Sequence, residues 1–76
     1  MSIINQQATC QRIEILRKEK GITPAEISRK LNLSLQSVNQ WQLGKNLPSL
    51  ENMILLAKLF DVTILDILVI NDIDIW

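Results

Sequence analysis

Apolar positions along the chain recur three and four residues apart, and the recurrence breaks at residues that stop helices. In the first segment Ile13 and Leu16 face one way, with Cys10 on the same side and Ile15 off it, which predicts a helix from about Ala8 to Lys20. Lys18 and Lys20 suit a helix C-terminus, and Gly21 is the expected left-handed cap. Residues 1–7 are polar apart from Ile3 and Ile4 and are expected to fray. Ile22 precedes Thr23 and can staple to Ile27. Thr23 with Glu26 is a capping box, and Pro24 occupies the first helical position, where a missing N–H is harmless. Ile27 and Leu31 form an inward face one turn apart, and Asn32 tolerates the left-handed conformation that ends such a helix. Ser34 caps a third helix in which Val38 and Trp41 point inward and which Gly44 closes.

After a loop at Lys45-Asn46-Leu47-Pro48, in which Leu47 should plug the core, Ser49 caps a fourth helix running to about Phe60. Met53, Leu56, Ala57 and Phe60 have the spacing of a buried face. Asp61 ends that helix, and Thr63 caps a fifth with core positions at Ile64, Ile67 and Leu68. The fourth and fifth helices together cover about 49–69, followed by a tail at 70–76. The expectation is an all-α, five-helix body forming a single domain over residues 1–76.

The segment 24–43 places two short helices across a tight turn at Asn32, the arrangement that offers its second helix to the DNA major groove. With Val38 and Trp41 inside, Leu35, Gln36, Asn39, Gln40 and Leu43 lie outward. Gln and Asn pair bidentately with adenine N6 and N7, and an apolar tip meets a thymine methyl. A solvated polar helix face is the bland reading. Gln36, Ser37, Asn39 and Gln40 together, with no acid among them, favour base readout.

Apolar residues beyond the needs of one small core remain. Leu55 and Leu59 lie one turn apart, off the stripe just named, and Leu65 and Val69 are displaced from Ile64 and Leu68. Ile70, Ile73, Ile75 and Trp76 follow. An exposed strip of this kind marks a partner surface, and the simplest partner is a second copy through a two-fold interface. Its counterpart is a C-terminus that folds back over its own core. Asp72-Ile73-Asp74-Ile75-Trp76 alternates polar and apolar, and five residues do not separate pairing with a partner, docking in a groove and a loose end.

Charge sharpens this picture. Formal net charge over the 76 residues is zero, with 47% apolar residues, an unusual balance for a DNA binder taken whole. Residues 1–50 hold seven basic against three acidic side chains, and residues 51–76 hold one basic against five acidic. The half that contains the paired helices is therefore the positive one, as a phosphate-facing surface requires. One cysteine, Cys10, permits no internal disulfide and reads as a small buried residue; with neither secretion signal nor transmembrane run, a reducing cytoplasm is expected. Histidine is absent, so neither zinc nor histidine-assisted nucleophilic catalysis is expected, and Ser34 is explained as a cap. Asp72 and Asp74 lack the further oxygens and glycine loop of a calcium site. No enzyme activity, metal or cofactor is expected, and no linker separates off a sensing domain.

In sum of motifs the chain resembles the lambda-repressor-like (Xre-type, Cro-like) helix-turn-helix domain of phage and bacterial regulators, without a gap from about Arg12 to Leu68. The residues that carry the resemblance are Ile13, Leu16-Arg17, Lys20-Gly21-Ile22-Thr23, Glu26-Ile27, Leu31, Ser34, Val38, Trp41, Gly44-Lys45, Leu47-Pro48-Ser49, Leu56-Ala57-Lys58 and Val62-Thr63. It implies five helices, base contacts from Leu35, Gln36 and Gln40, and phosphate contacts near Lys45 and Asn46. Pro24 departs from the glutamine common in the family, Leu35 from the frequent Arg or Lys, and Gln42 from a Glu that often pairs with the position of Arg17. Leu55 and Leu65 stand where the family is usually polar. The resemblance thus implies a sequence-specific repressor of phage, plasmid or bacterial origin, and the apolar strip adds the expectation that it acts as a dimer on a pseudo-palindromic operator. Lowered DNA affinity leaves room for an alternative, a protein-interaction module such as an antitoxin or anti-repressor that binds a regulatory partner through its apolar C-terminal surface. The residues expected to meet DNA are Ser34, Leu35, Gln36, Ser37, Asn39, Gln40, Lys45 and Asn46; those expected at the dimer interface are Leu55, Leu59, Leu65, Val69, Ile73 and Trp76.

Overall fold

A left-handed residue follows each of the first four helices, and the side chains of Thr23, Ser34 and Ser49 accept a backbone N–H at the start of the second, third and fourth. The computed structural model describes residues 3–72 and contains α1 (Gln6–Lys20), α2 (Pro24–Leu31), α3 (Leu35–Gln42), α4 (Leu50–Phe60) and α5 (Ile64–Ile67). Gly21, Asn32, Gly44 and Asp61 have positive φ, between 56° and 72°. After each of them the following N–H reaches back to a carbonyl five residues earlier: Ile22 to Arg17, Leu33 to Ser28, Lys45 to Gln40 and Val62 to Ala57. These bonds satisfy carbonyls that the last turn of a helix would otherwise leave open. In three junctions one apolar residue (Ile22, Leu33 or Val62) separates the left-handed residue from the next cap, and each of the three packs against the core. The turn between α2 and α3 is further locked by Ser28 Oγ, which donates to Leu33 O at 2.6 Å. The α3–α4 junction is longer and carries Lys45, Asn46, Leu47 and Pro48.

Ile13, Ile27, Val38, Trp41, Leu56, Ala57, Phe60 and Ile67 form one buried cluster, so every helix contributes to the same core. Full burial of a side chain such as Phe60 or Leu56 is worth about 1.5–3 kcal/mol. α2 packs on α3, and α1 lies against α3, α4 and α5, which leaves one side of α3 turned outward.

Several boundaries differ from the pattern-based expectation. α1 begins at Gln6 rather than Ala8, because Asn5 Oδ1 accepts the Ala8 N–H at 3.0 Å and caps it. Residues 3–5 are paired, not frayed: Ile4 bridges antiparallel to Ile70, Asn5 N–H donates to Val69 O at 2.8 Å, and Asn71 N–H donates to Ile3 O at 2.7 Å. Thr9 is fully buried, and its hydroxyl accepts the Val69 N–H at 3.0 Å and donates to Val69 O at 3.3 Å. The fifth helix is correspondingly short. Leu68 is extended, since the next N–H is claimed by Thr9 instead of by the helix. Ile64 and Leu68 are half-buried, not core. Leu47 is also half-buried, and Pro48 takes the buried place expected of it. Up to Asn71 the C-terminal segment therefore lies on its own chain. Ile73 to Trp76 fall outside the described residues, and with them two positions of the expected dimer surface, Ile73 and Trp76. Among the described residues no helix is long and apolar enough to cross a membrane.

Candidate nucleic-acid interface

α3 is held by its two ends and by two anchors. Ser34 Oγ accepts the Ser37 N–H at 3.1 Å and lies 2.9 Å from Ser37 Oγ, so the two hydroxyls engage each other. At the other end Gly44 N–H donates to Trp41 O, and Lys45 N–H donates to Gln40 O, both at 3.0 Å. Val38 and Trp41 are buried between these ends. Rotation of α3 about its axis is thereby fixed, and Leu35, Gln36 and Asn39 come out exposed while Ser37 and Gln40 are half-buried.

Beside α3 runs an open groove of about 630 Å³. Gln36, Ser37 and Gln40 form one wall, Asn46 to Ser49 the other, and Gln6 and Asn52 reach it from α1 and α4. Among the described residues five carboxamides line it and no charged side chain does. Each carboxamide offers two donors and one acceptor, so the surface matches mixed hydrogen-bonding edges rather than a simple ion. Sequence patterns gave no hint of Gln6 or Asn52. Gln6 Nε2 donates to Gly44 O at 2.8 Å across 38 positions of chain, a contact that only the packing of α1 against α3 creates.

The loop after α3 is pinned from below. Cys10 Sγ donates to Asn46 O at 3.4 Å, while its burial raises the thiol pKa above the ordinary value and keeps it protonated at neutral pH. Lys45 and Asn46 are both exposed beside the groove. From Asn32 to Leu50 Lys45 is the only charged residue. Pro24 sits at the first position of α2, behind the Thr23–Glu26 capping box, in which Glu26 N–H donates to Thr23 Oγ1 at 3.1 Å and Thr23 N–H donates to Glu26 Oε1 at 3.3 Å. Arg17 does not turn to Gln42. Its Nε donates to Glu14 Oε2 at 2.7 Å and its Nη1 to Ile22 O at 2.9 Å, leaving Gln42 exposed.

On α4 and α5, Leu65 is 79% and Leu55 39% exposed. Leu59 is half-buried against the core, and Val69 is half-buried and hydrogen-bonded to Asn5 and Thr9. Ile70 is exposed, as expected of the apolar strip, and Leu50 and Ile54 are exposed in addition, which the sequence pattern did not single out as a surface.

Five helices around one core, with a locked turn presenting a carboxamide-bearing helix, define a helix-turn-helix protein. The chain belongs to that family in its lambda-repressor-like (Xre-type) form: the family model described as "Helix-turn-helix" matches residues 13–67. It is similar to the HTH-type transcriptional activator BcrR of Enterococcus faecalis, 29% identical over 58 residues, and to the uncharacterized HTH-type transcriptional regulator YobD of Bacillus subtilis, 30% identical over 63 residues. The matches cover 76% and 83% of this chain but 28% and 56% of those relatives' lengths. Family and relatives are transcription regulators, not enzymes. Among solved structures, the restriction-modification controller protein C.AhdI of Aeromonas hydrophila superposes with a TM-score of 0.75 at 24% identity, over 83% of this chain and 96% of that one. A transcriptional regulator from Listeria innocua superposes with a TM-score of 0.74 at 25% identity, over 90% of this chain and 63% of that one. The first of these likenesses shows the fold alone.

Proposed function

We propose that this protein is a sequence-specific DNA-binding repressor, of bacterial, plasmid or phage origin, that acts as a homodimer in the cytoplasm. The observation that carries the reading is the outward side of α3, where Gln36, Asn39 and Gln40 stand free of acidic neighbours. Adenine is the base edge that such amides pair with bidentately. Lys45 and Asn46 then meet phosphate, with the loop held at the right height by Gln6, Gln40 and Cys10. Ser34 and Ser37 set the angle of α3 through their mutual bond. Leu55 and Leu65, with the flanks of Leu59 and Val69 left uncovered, supply the two-fold contact. Two copies related in this way set their recognition helices about 34 Å apart, which calls for a pseudo-palindromic operator. Occupancy of such an operator blocks polymerase with no further activity from the protein.

The exposed Leu65 and the net charge of zero favour a second reading, in which the same C-terminal surface binds a different regulatory protein, as an antitoxin or anti-repressor would. Selection of duplexes from a random pool, combined with sedimentation of the free protein, separates the two. Enrichment of a palindromic site by a dimer is the expected result. A monomer that enriches no site refutes the repressor reading.

A further inference from the structure

Two exposed leucines stand at the two ends of α3. Leu35 is its first residue and is 47% exposed; Leu43 follows its last turn and is 66% exposed. When a recognition helix enters the major groove, its N-terminal residues are the ones that contact base edges. Leu35 and Leu43 therefore part company on DNA: the first comes against the bases beside Gln36, and the second lies at the far end. The hydroxyls of Ser34 and Ser37 engage each other, and Leu35 and Gln36 are exposed beside them. The edges of base pairs in the major groove are donors and acceptors with one apolar exception, the 5-methyl group of a pyrimidine. A leucine pressed on any other edge desolvates a polar atom and returns no hydrogen bond.

We propose that Leu35 is a specificity-determining residue that selects a pyrimidine 5-methyl group next to the base read by Gln36. This rests on α3 being the base-contacting helix. Leu35 brings no charge, so its contact adds discrimination without phosphate-type affinity. Thymine and 5-methylcytosine both carry the group.

The test uses the full chain and a duplex enriched from a random pool. Each thymine of the site is replaced in turn by uracil, which removes only the methyl. One such replacement is expected to weaken the unmodified protein roughly three- to five-fold, the worth of one methyl-sized group taken out of water. In Leu35→Ala that replacement is expected to be silent, while Leu43→Ala keeps the full penalty. At the same step cytosine is compared with 5-methylcytosine: tighter binding of the methylated base supports the methyl as the group that is read, and equal binding counts against it. A uracil penalty that persists in Leu35→Ala, or no penalty at any thymine, overturns the proposal and leaves α3 as the reading helix. If no duplex is enriched, the DNA reading fails with it, and loss of self-association in Leu35→Lys then assigns this leucine to a protein contact.

Discussion

Gln36 and Gln40 lie one turn apart on α3, the first exposed and the second half-buried at the groove wall. Replacing either by Ala removes the amide and little else, because neither belongs to the buried cluster. Gln36→Ala or Gln40→Ala is expected to reduce discrimination between operator and random DNA by about 1–3 kcal/mol per lost base contact. A gel-shift titration reads this; equal loss on both DNAs would rule out base contact. Lys45 works differently, as a charge that releases a counterion wherever it meets phosphate. Lys45→Ala should weaken binding to every sequence and lower the salt slope by roughly one. An unchanged slope would take Lys45 off the phosphate.

At the scale of elements, the start of α1 and the segment after α5 are joined by a clasp. Thr9 is fully buried and its hydroxyl serves both the N–H and the carbonyl of Val69. Val69 O has a second donor in Asn5 N–H, whereas the Val69 N–H has Thr9 alone among the bonds described. Thr9→Val keeps the shape and orphans that N–H, which costs about 1–3 kcal/mol. Urea unfolding should show a lower midpoint with the slope retained; an unmoved midpoint would mean that the clasp contributes nothing. α5 depends on a second local bond. Asp66 Oδ2 accepts Thr63 N–H at 2.9 Å and Thr63 Oγ1–H at 3.0 Å, and these bonds hold its carboxyl below the usual carboxylate range. Stabilisation from a lowered pKa is full above the ordinary value and is lost as pH falls through the folded one. Wild type should therefore lose more melting temperature than Asp66→Asn between neutral pH and the acid side of that range. Parallel pH profiles for the two proteins would contradict the assignment.

For the whole molecule the question is what covers the apolar side of α4 and α5. Leu65 is almost wholly in water and Leu55 substantially so, while Leu59 and Val69 already spend part of their surface on their own chain. A two-fold contact seated on Leu55 and Leu65 predicts that the double variant Leu55→Lys, Leu65→Lys is a soluble monomer with the same helical content. Sedimentation measures the mass, and an unaltered value would move the interface elsewhere. Such a monomer should also bind a half-site nearly as well as the full operator, since the second recognition helix no longer travels with the first.

Local chemistry was legible in the sequence. The caps Thr23, Ser34 and Ser49, the left-handed stops Gly21, Asn32, Gly44 and Asp61, and the buried faces of α2, α3 and α4 follow from neighbours three to five residues apart, and a helix end is decided within that distance. The outward amides of α3 were readable for the same reason: burial of Val38 and Trp41 fixes where the remaining side chains point. What pattern could not supply are contacts whose partners lie far apart along the chain. Thr9 meets Val69 across 60 positions and Gln6 meets Gly44 across 38. Both are polar residues on a helix, and periodicity treats them as solvent-facing. Only the packing of α1 against α3 and α5 turns one into a buried clasp and the other into a wall of the groove, and that same packing cuts the fifth helix short by giving the Val69 N–H a partner outside it.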